Sequence, residues 1–135
     1  MQKLVNSLTF ILLIVSSYAD SIPPNHAGRM KAGKNLFKKT IRPTLIENCL
    51  KCHGDEKVRS GLDISTRELL LEGGETEAAI NLERPEKSYL LSLIRHEEEP
   101  EMPPKKAKLP DSIVANFQKW IALGAPYDKP LLEKK

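Results

Sequence analysis

A chain of 135 residues has the length of one domain, and its formal net charge of +3 offers no basic excess of the kind that grips nucleic acid. Aromatic residues make up only 5% of it, so a core built from side chains alone is thin, and a small domain of that kind wants a staple or a cofactor. Its two cysteines stand three positions apart, where a disulfide would close a tiny ring and constrain little of the unfolded chain, so the pair reads as chemical rather than structural.

The N-terminus has the pattern of an export signal. Lys3 supplies the positive start, residues 8–15 an apolar run too short to span a bilayer comfortably, and Ser17-Tyr18-Ala19 a small-x-small cleavage site. Residues 1–19 are therefore expected to be cut off after Ala19, leaving a protein in the periplasm or another exported compartment. An uncleaved anchor or a buried helix is the alternative. Residues 20–32, with Pro23, Pro24 and Gly28, read as a flexible entry. The five basic residues from Arg29 to Lys39 make either a docking face for an acidic partner or a solvated surface.

The domain proper is expected over residues 33–126. Phe37, Ile41, Leu45 and Cys49 recur every four residues and predict a helix, in which Pro43 should force a kink or restart by pushing Arg42 out of helical geometry. A polar loop runs to about Ile64. Ser65-Thr66-Arg67-Glu68 has the form of a capping box, opening a two-turn helix that Gly73-Gly74 stops. A third helix is expected from Pro85 or Ser88 to His96, with Leu90, Leu93 and Ile94 on its apolar face. Residues 97–108, charged and holding three prolines around Met102, form a loop. A fourth helix from about Pro110 to Gly124 carries the stripe Ile113, Val114, Phe117, Trp120 and Ile121, and Pro126 confirms its end. Residues 127–135 read as a flexible tail. No strand pattern of useful length appears, so the fold class is all-α with long loops.

The chemistry is concentrated in Cys49-Leu50-Lys51-Cys52-His53. C-x-x-C-H is the sequence mark of covalent haem attachment: two thiols one helical turn apart bond the porphyrin rim, and the next residue offers its imidazole to the iron. A redox dithiol would want a strand before the motif and βαβ elements around it, neither of which is visible. A structural zinc site would want four ligands; His26 and His96 complete the number, but at a spacing that matches no common zinc module.

In its ordered set of motifs the chain resembles the planctomycete-type cytochrome c domain, a branch of the class I c-type cytochromes. The resemblance runs from Phe37 to Ala125 through CLKCHG, then SGLDISTRELLLEGG at 60–74, PEKSYLLSLI at 85–94, EMPP at 101–104 and FQKWIALGAP at 117–126. It implies a small helical domain with long loops wrapped around one covalent haem c. It implies thioether bonds at Cys49 and Cys52, His53 as the proximal iron ligand and Met102 as the distal one. The first and last helices are expected to cross, with Phe37 and Ile41 meeting Phe117 and Ile121. One stretch departs from the family: GGETEAAINLERPEKS lacks the proline–glycine form that often follows the paired glycines.

Read without the resemblance, a lone methionine is usually a core filler. Met102, however, sits in a polar loop that Pro103 and Pro104 stiffen. His96, placed to face a helix dipole, is the competing ligand; His26 is a weaker one, and Met30, closer to the first helix, is expected to pack. The expected function is single-electron transfer by a monomeric, non-enzymatic mono-haem cytochrome. Its partner would be a separate redox protein or a membrane-associated electron-transfer complex, with no nucleic acid and no zinc. The alternatives are a haem enzyme or gas sensor with a displaceable sixth ligand, or a haem-bearing docking module for a larger partner.

Overall fold

The computed structural model describes residues 25–54 and 56–133. The expected export signal lies outside them.

Helix α1, His26–Leu36, opens well before Phe37, where the four-residue period begins, and before the expected domain start at residue 33. The reason is local: Asn25 is extended, and its side-chain oxygen accepts the Gly28 amide at 2.6 Å, capping an otherwise orphaned first turn. Part of the expected loose entry is therefore helix. A π-helical turn, Phe37–Ile41, leads without a break into α2, Arg42–Asn48. Pro43 does not break the helix, and Arg42 stays helical at φ −53°, ψ −55°, contrary to expectation. The Arg42 amide bonds the Phe37 carbonyl, so the wider turn takes up one extra residue. Pro43 then falls in the first turn of α2, where its missing N–H and its ring are tolerated.

After α2 the chain makes the only sheet among the described residues. Strand β1, His53–Gly54, pairs antiparallel with β2, Lys57–Val58, and a 3₁₀ turn follows at Arg59–Gly61. Two-residue strands are too short to leave an alternating pattern, which is why the sequence does not announce them. Helix α3, Arg67–Glu72, is capped by Thr66, whose hydroxyl accepts the Leu69 amide at 3.3 Å. The expected capping box is thus displaced by one residue. Ser65 instead donates its amide to Asp63 at 2.8 Å, and with Thr66 as cap the box's acidic position is taken by Leu69. Gly73 ends α3 at φ +78°.

A 3₁₀ turn at Pro85–Lys87 precedes α4, Tyr89–Ile94, whose buried residues are Leu91, Leu93 and Ile94. Leu91 is buried in addition to the expected Leu93 and Ile94, and Leu90 is partly buried against the core. Helix α5, Asp111–Ala122, buries Val114, Phe117, Trp120 and Ile121, four of the five stripe residues. The architecture is helix-rich, in keeping with the all-α expectation.

The core sits where the π turn meets α5. Phe37, Ile41, Trp120 and Ile121 are all fully buried. Phe37 stacks on Trp120 at 5.7 Å and on Tyr127 at 4.1 Å between ring centroids. Two arginines tie the end of α5 to other elements: Arg29 donates to the Ala122 carbonyl at 2.8 Å, and Arg67 to Gly124 at 2.8 Å and Ala125 at 3.1 Å. These carbonyls have no partner within α5, so the guanidinium groups supply one. The segment expected to be a flexible tail packs as well. Tyr127 joins the aromatic cluster, Leu131 is buried, and the Leu131 amide donates to the Ser65 carbonyl at 2.8 Å. An apolar residue at 131 and a satisfied amide explain why this end is held.

Candidate functional site

The end of α2 is the natural starting point. The Cys49 and Leu50 amides both bond the Leu45 carbonyl at 2.9 Å, and the Cys52 and His53 amides both bond the Cys49 carbonyl at 3.1 and 3.0 Å. One tight turn therefore carries both thiols and the imidazole. The chain beyond it folds back to hold that turn: the Arg59 amide reaches the Cys52 carbonyl at 3.0 Å, and the Ile64 amide the His53 carbonyl at 2.8 Å. A Cβ at Gly54 would lie 2.5 Å from the end of the Leu50 side chain, so a larger residue there would require that side chain to shift.

This return brings the Leu62 carbonyl to 3.3 Å from His53 Nδ1. A carbonyl only accepts, so Nδ1 carries the proton in this contact and Nε2 keeps its lone pair. A ligating histidine is commonly oriented in this way, its second nitrogen held by a carbonyl or carboxylate. Sequence reasoning pointed to the Gly61-Leu62-Asp63 stretch through the resemblance, but not to the Leu62 carbonyl as the partner of His53.

Cys49, Cys52, His53 and Met102 line a single cavity. Its other lining is mostly apolar, including Leu45, Leu62, Ile64, Leu70, Leu90, Leu93, Ile94, Leu109 and Trp120; Glu77 is the one carboxylate among the lining residues. Pro100, Pro103 and Pro104 bring the charged loop to the same cavity. The stretch that departs from the family pattern contributes Gly74, Thr76, Glu77 and Ala79, so that loop does border the site. Neither His26, Met30 nor His96 is among the lining residues.

Met102 is half-buried against the core, and its amide donates to the Leu93 carbonyl at 3.1 Å. His96 sits beside it rather than in the cavity, with Nε2 3.1 Å from the Met102 carbonyl. That contact requires a proton on Nε2, which removes its lone pair from ligation.

The electrostatics bear on the two competing readings of the motif. Burial pushes the Cys49 thiol up to about 11, with Lys106 opposing and Cys52 adding to the rise. A dithiol nucleophile needs the opposite, a thiolate stabilised at neutral pH. Among the described residues no three His, Cys, Asp or Glu side chains gather where one metal ion would bind. Cys49, Cys52 and His53 thus share a cavity without converging on one point. The arrangement suits a broad apolar group held by thiols at its rim and by an imidazole at its centre, and the apolar lining fits the same group.

Residues 49–106 match the family model of Planctomycete cytochrome C. No curated protein and no solved structure matches the chain. The match begins at the first thiol and extends past Met102-Pro103-Pro104, so it includes all four candidate residues on the cavity; the chain carries a planctomycete-type cytochrome c domain.

Proposed function

We propose that this chain is an exported mono-haem c-type cytochrome that passes single electrons through an iron held by His53 and Met102. A cytochrome c domain implies covalent haem c, and such domains are generally electron carriers rather than enzymes. Bound haem supplies an iron that cycles between ferrous and ferric states. The thiols of Cys49 and Cys52 would each add across one vinyl group, with the sulfur bonding one carbon and the proton going to the other. His53 would present Nε2 while the Leu62 carbonyl keeps its ring in orientation. Met102 would supply the thioether that favours the ferrous state. The apolar lining excludes water and favours the less charged, reduced site.

The observation that carries this reading is the shared cavity: an oriented imidazole and a methionine from a segment nearly fifty residues on meet there with both thiols. The partner fitting this role is a separate redox protein or a membrane-associated complex, met by a monomer.

The test is expression of the full chain with a c-type maturation system. One haem should remain with the polypeptide through acid and organic extraction, raising its mass by one haem. Loss of all haem on extraction would overturn the proposal. The ferric protein should show the weak near-infrared band of sulfur–iron ligation. Met102→Ala should abolish that band, lower the reduction potential and admit carbon monoxide. Rapid carbon monoxide binding by the unmutated protein would favour a sensor or enzyme over an electron carrier.

A further inference from the structure

We propose that His96 is the positioning residue of the distal ligand, clamping the Met102 backbone so that its sulfur stays in place and outside ligands stay out. The inference rests on the reading of Met102 as an iron ligand and assigns a role that reading does not contain.

Three observations converge on it. First, both main-chain polar groups of Met102 are held by the end of α4 and the residues just after it. The Met102 amide donates to the Leu93 carbonyl at 3.1 Å, and the Met102 carbonyl accepts from His96 Nε2 at 3.1 Å. Second, the other face of the same imidazole meets the preceding residue of the loop, with Nδ1 3.4 Å from a Glu101 carboxylate oxygen. The ring therefore borders two consecutive loop residues, donating to the Met102 carbonyl and pairing with the Glu101 carboxylate as well only when both ring nitrogens are protonated. Third, His96 adopts φ +59°, a left-handed conformation that a non-glycine residue takes only at a cost. The end of α4 sets this conformation, with the His96 amide bonded to the Leu93 carbonyl at 3.2 Å and the Glu97 amide to the Ser92 carbonyl at 2.9 Å, and it brings the imidazole to the Met102 loop.

The consequence for ligand binding follows from this hydrogen-bond count. A thioether is a weak iron ligand, so its hold depends on how little freedom its backbone has to swing away. Pro103 restricts the backbone of Met102 before it, and Leu93 holds the amide. His96 removes the remaining freedom at the carbonyl. Without it, the Met102 carbonyl loses its protein partner and the loop gains a path outward.

The experiment uses the ferric holoprotein and imidazole as the competing ligand. His96→Gly removes the side chain, while glycine accepts the left-handed backbone without strain. Loss of one hydrogen bond should tighten imidazole binding about tenfold and weaken the near-infrared band. His96→Asn, which also tolerates this backbone and keeps a side-chain donor, should fall between His96→Gly and the wild type. The denaturant midpoint serves as the control: a merely structural residue would lower it without changing imidazole affinity in the folded protein.

Wild-type imidazole affinity in His96→Gly, with the near-infrared band present in the wild type and lost in Met102→Ala, would overturn the role of His96 alone. A wild type that lacks the band and binds imidazole as tightly as Met102→Ala would overturn the ligand assignment and this inference with it. Loss of the six-coordinate spectrum in His96→Gly but not in Met102→Ala would make His96 itself the ligand and refute the clamp.

Discussion

The Tyr127 hydroxyl donates to the Ile64 carbonyl at 2.9 Å while its ring stacks on Phe37. Burial is the main reason its ionisation is pushed well above the ordinary 10.0; Cys49, Asp63 and Glu68 add to the rise and Arg42 opposes it. The sign follows from which form folding favours. The native state prefers the neutral phenol, so its contribution is fully present below the unfolded value of 10.0 and is lost as pH rises beyond it. Tyr127→Phe keeps the ring and removes the hydroxyl. It should cost about 1 kcal/mol at neutral pH, the net worth of one hydrogen bond, and should flatten the loss of stability above pH 10. Denaturant unfolding of wild type and variant at neutral and alkaline pH measures both. An equal alkaline loss in the two proteins would mean that Tyr127 is not its source.

At the scale of elements, the crossing of α1 with the end of α5 depends on Gly33. A Cβ there would lie 2.5 Å from Pro126 Cγ and 3.2 Å from Leu123 Cβ. Two effects oppose each other in Gly33→Ala. Alanine is favoured over glycine within a helix by about 1 kcal/mol, and overpacking a tight contact costs about 1–3 kcal/mol. The proline ring has little freedom to yield, so the clash should win and the variant should unfold at lower denaturant. A midpoint at or above the wild-type value would show that the two segments separate easily.

The same elements show what can be read from a sequence and what cannot. Phe37, Ile41 and Leu45 were legible because a four-residue apolar period leaves few structures that bury all three. The stripe on α5 was legible for the same reason. The π turn was not, since an interior proline signals an obstacle but not whether the backbone breaks or widens around it. The cap of α3 slipped by one residue because Ser65 and Thr66 are both competent caps, and the turn at Asp63 decides between them. The last segment looked loose because its short apolar stretch finds partners only in tertiary structure, at Ser65 and Phe37. In the site, Cys49, Cys52 and His53 are contiguous and therefore visible, while Met102 emerged through a resemblance. The Leu62 partner of His53 and the contact of His96 with Met102 depend on the path of loops, which no local pattern encodes.

For the molecule as a whole, the bond from Arg29 to the Ala122 carbonyl joins residues 93 positions apart. Closing a flexible loop of that length costs about 4 kcal/mol beyond the fixed term, on the logarithmic scaling of closure entropy with length. The pairing of His53 with Val58 demands far less. The two ends should therefore meet late in folding, after the thiol-bearing turn and its hairpin have formed. Trp120, which lines the cavity from α5, would be among the last walls to arrive. Pulse-labelled hydrogen exchange during refolding should find the Cys52 and His53 amides protected before those at the end of α5; the reverse order would refute this sequence of events. The closure of α1 onto α5 thus has a meaning in time as well as in space. A bulky group can reach the paired thiols while the chain is still open, and the same late contact that completes the core then shuts the door behind it.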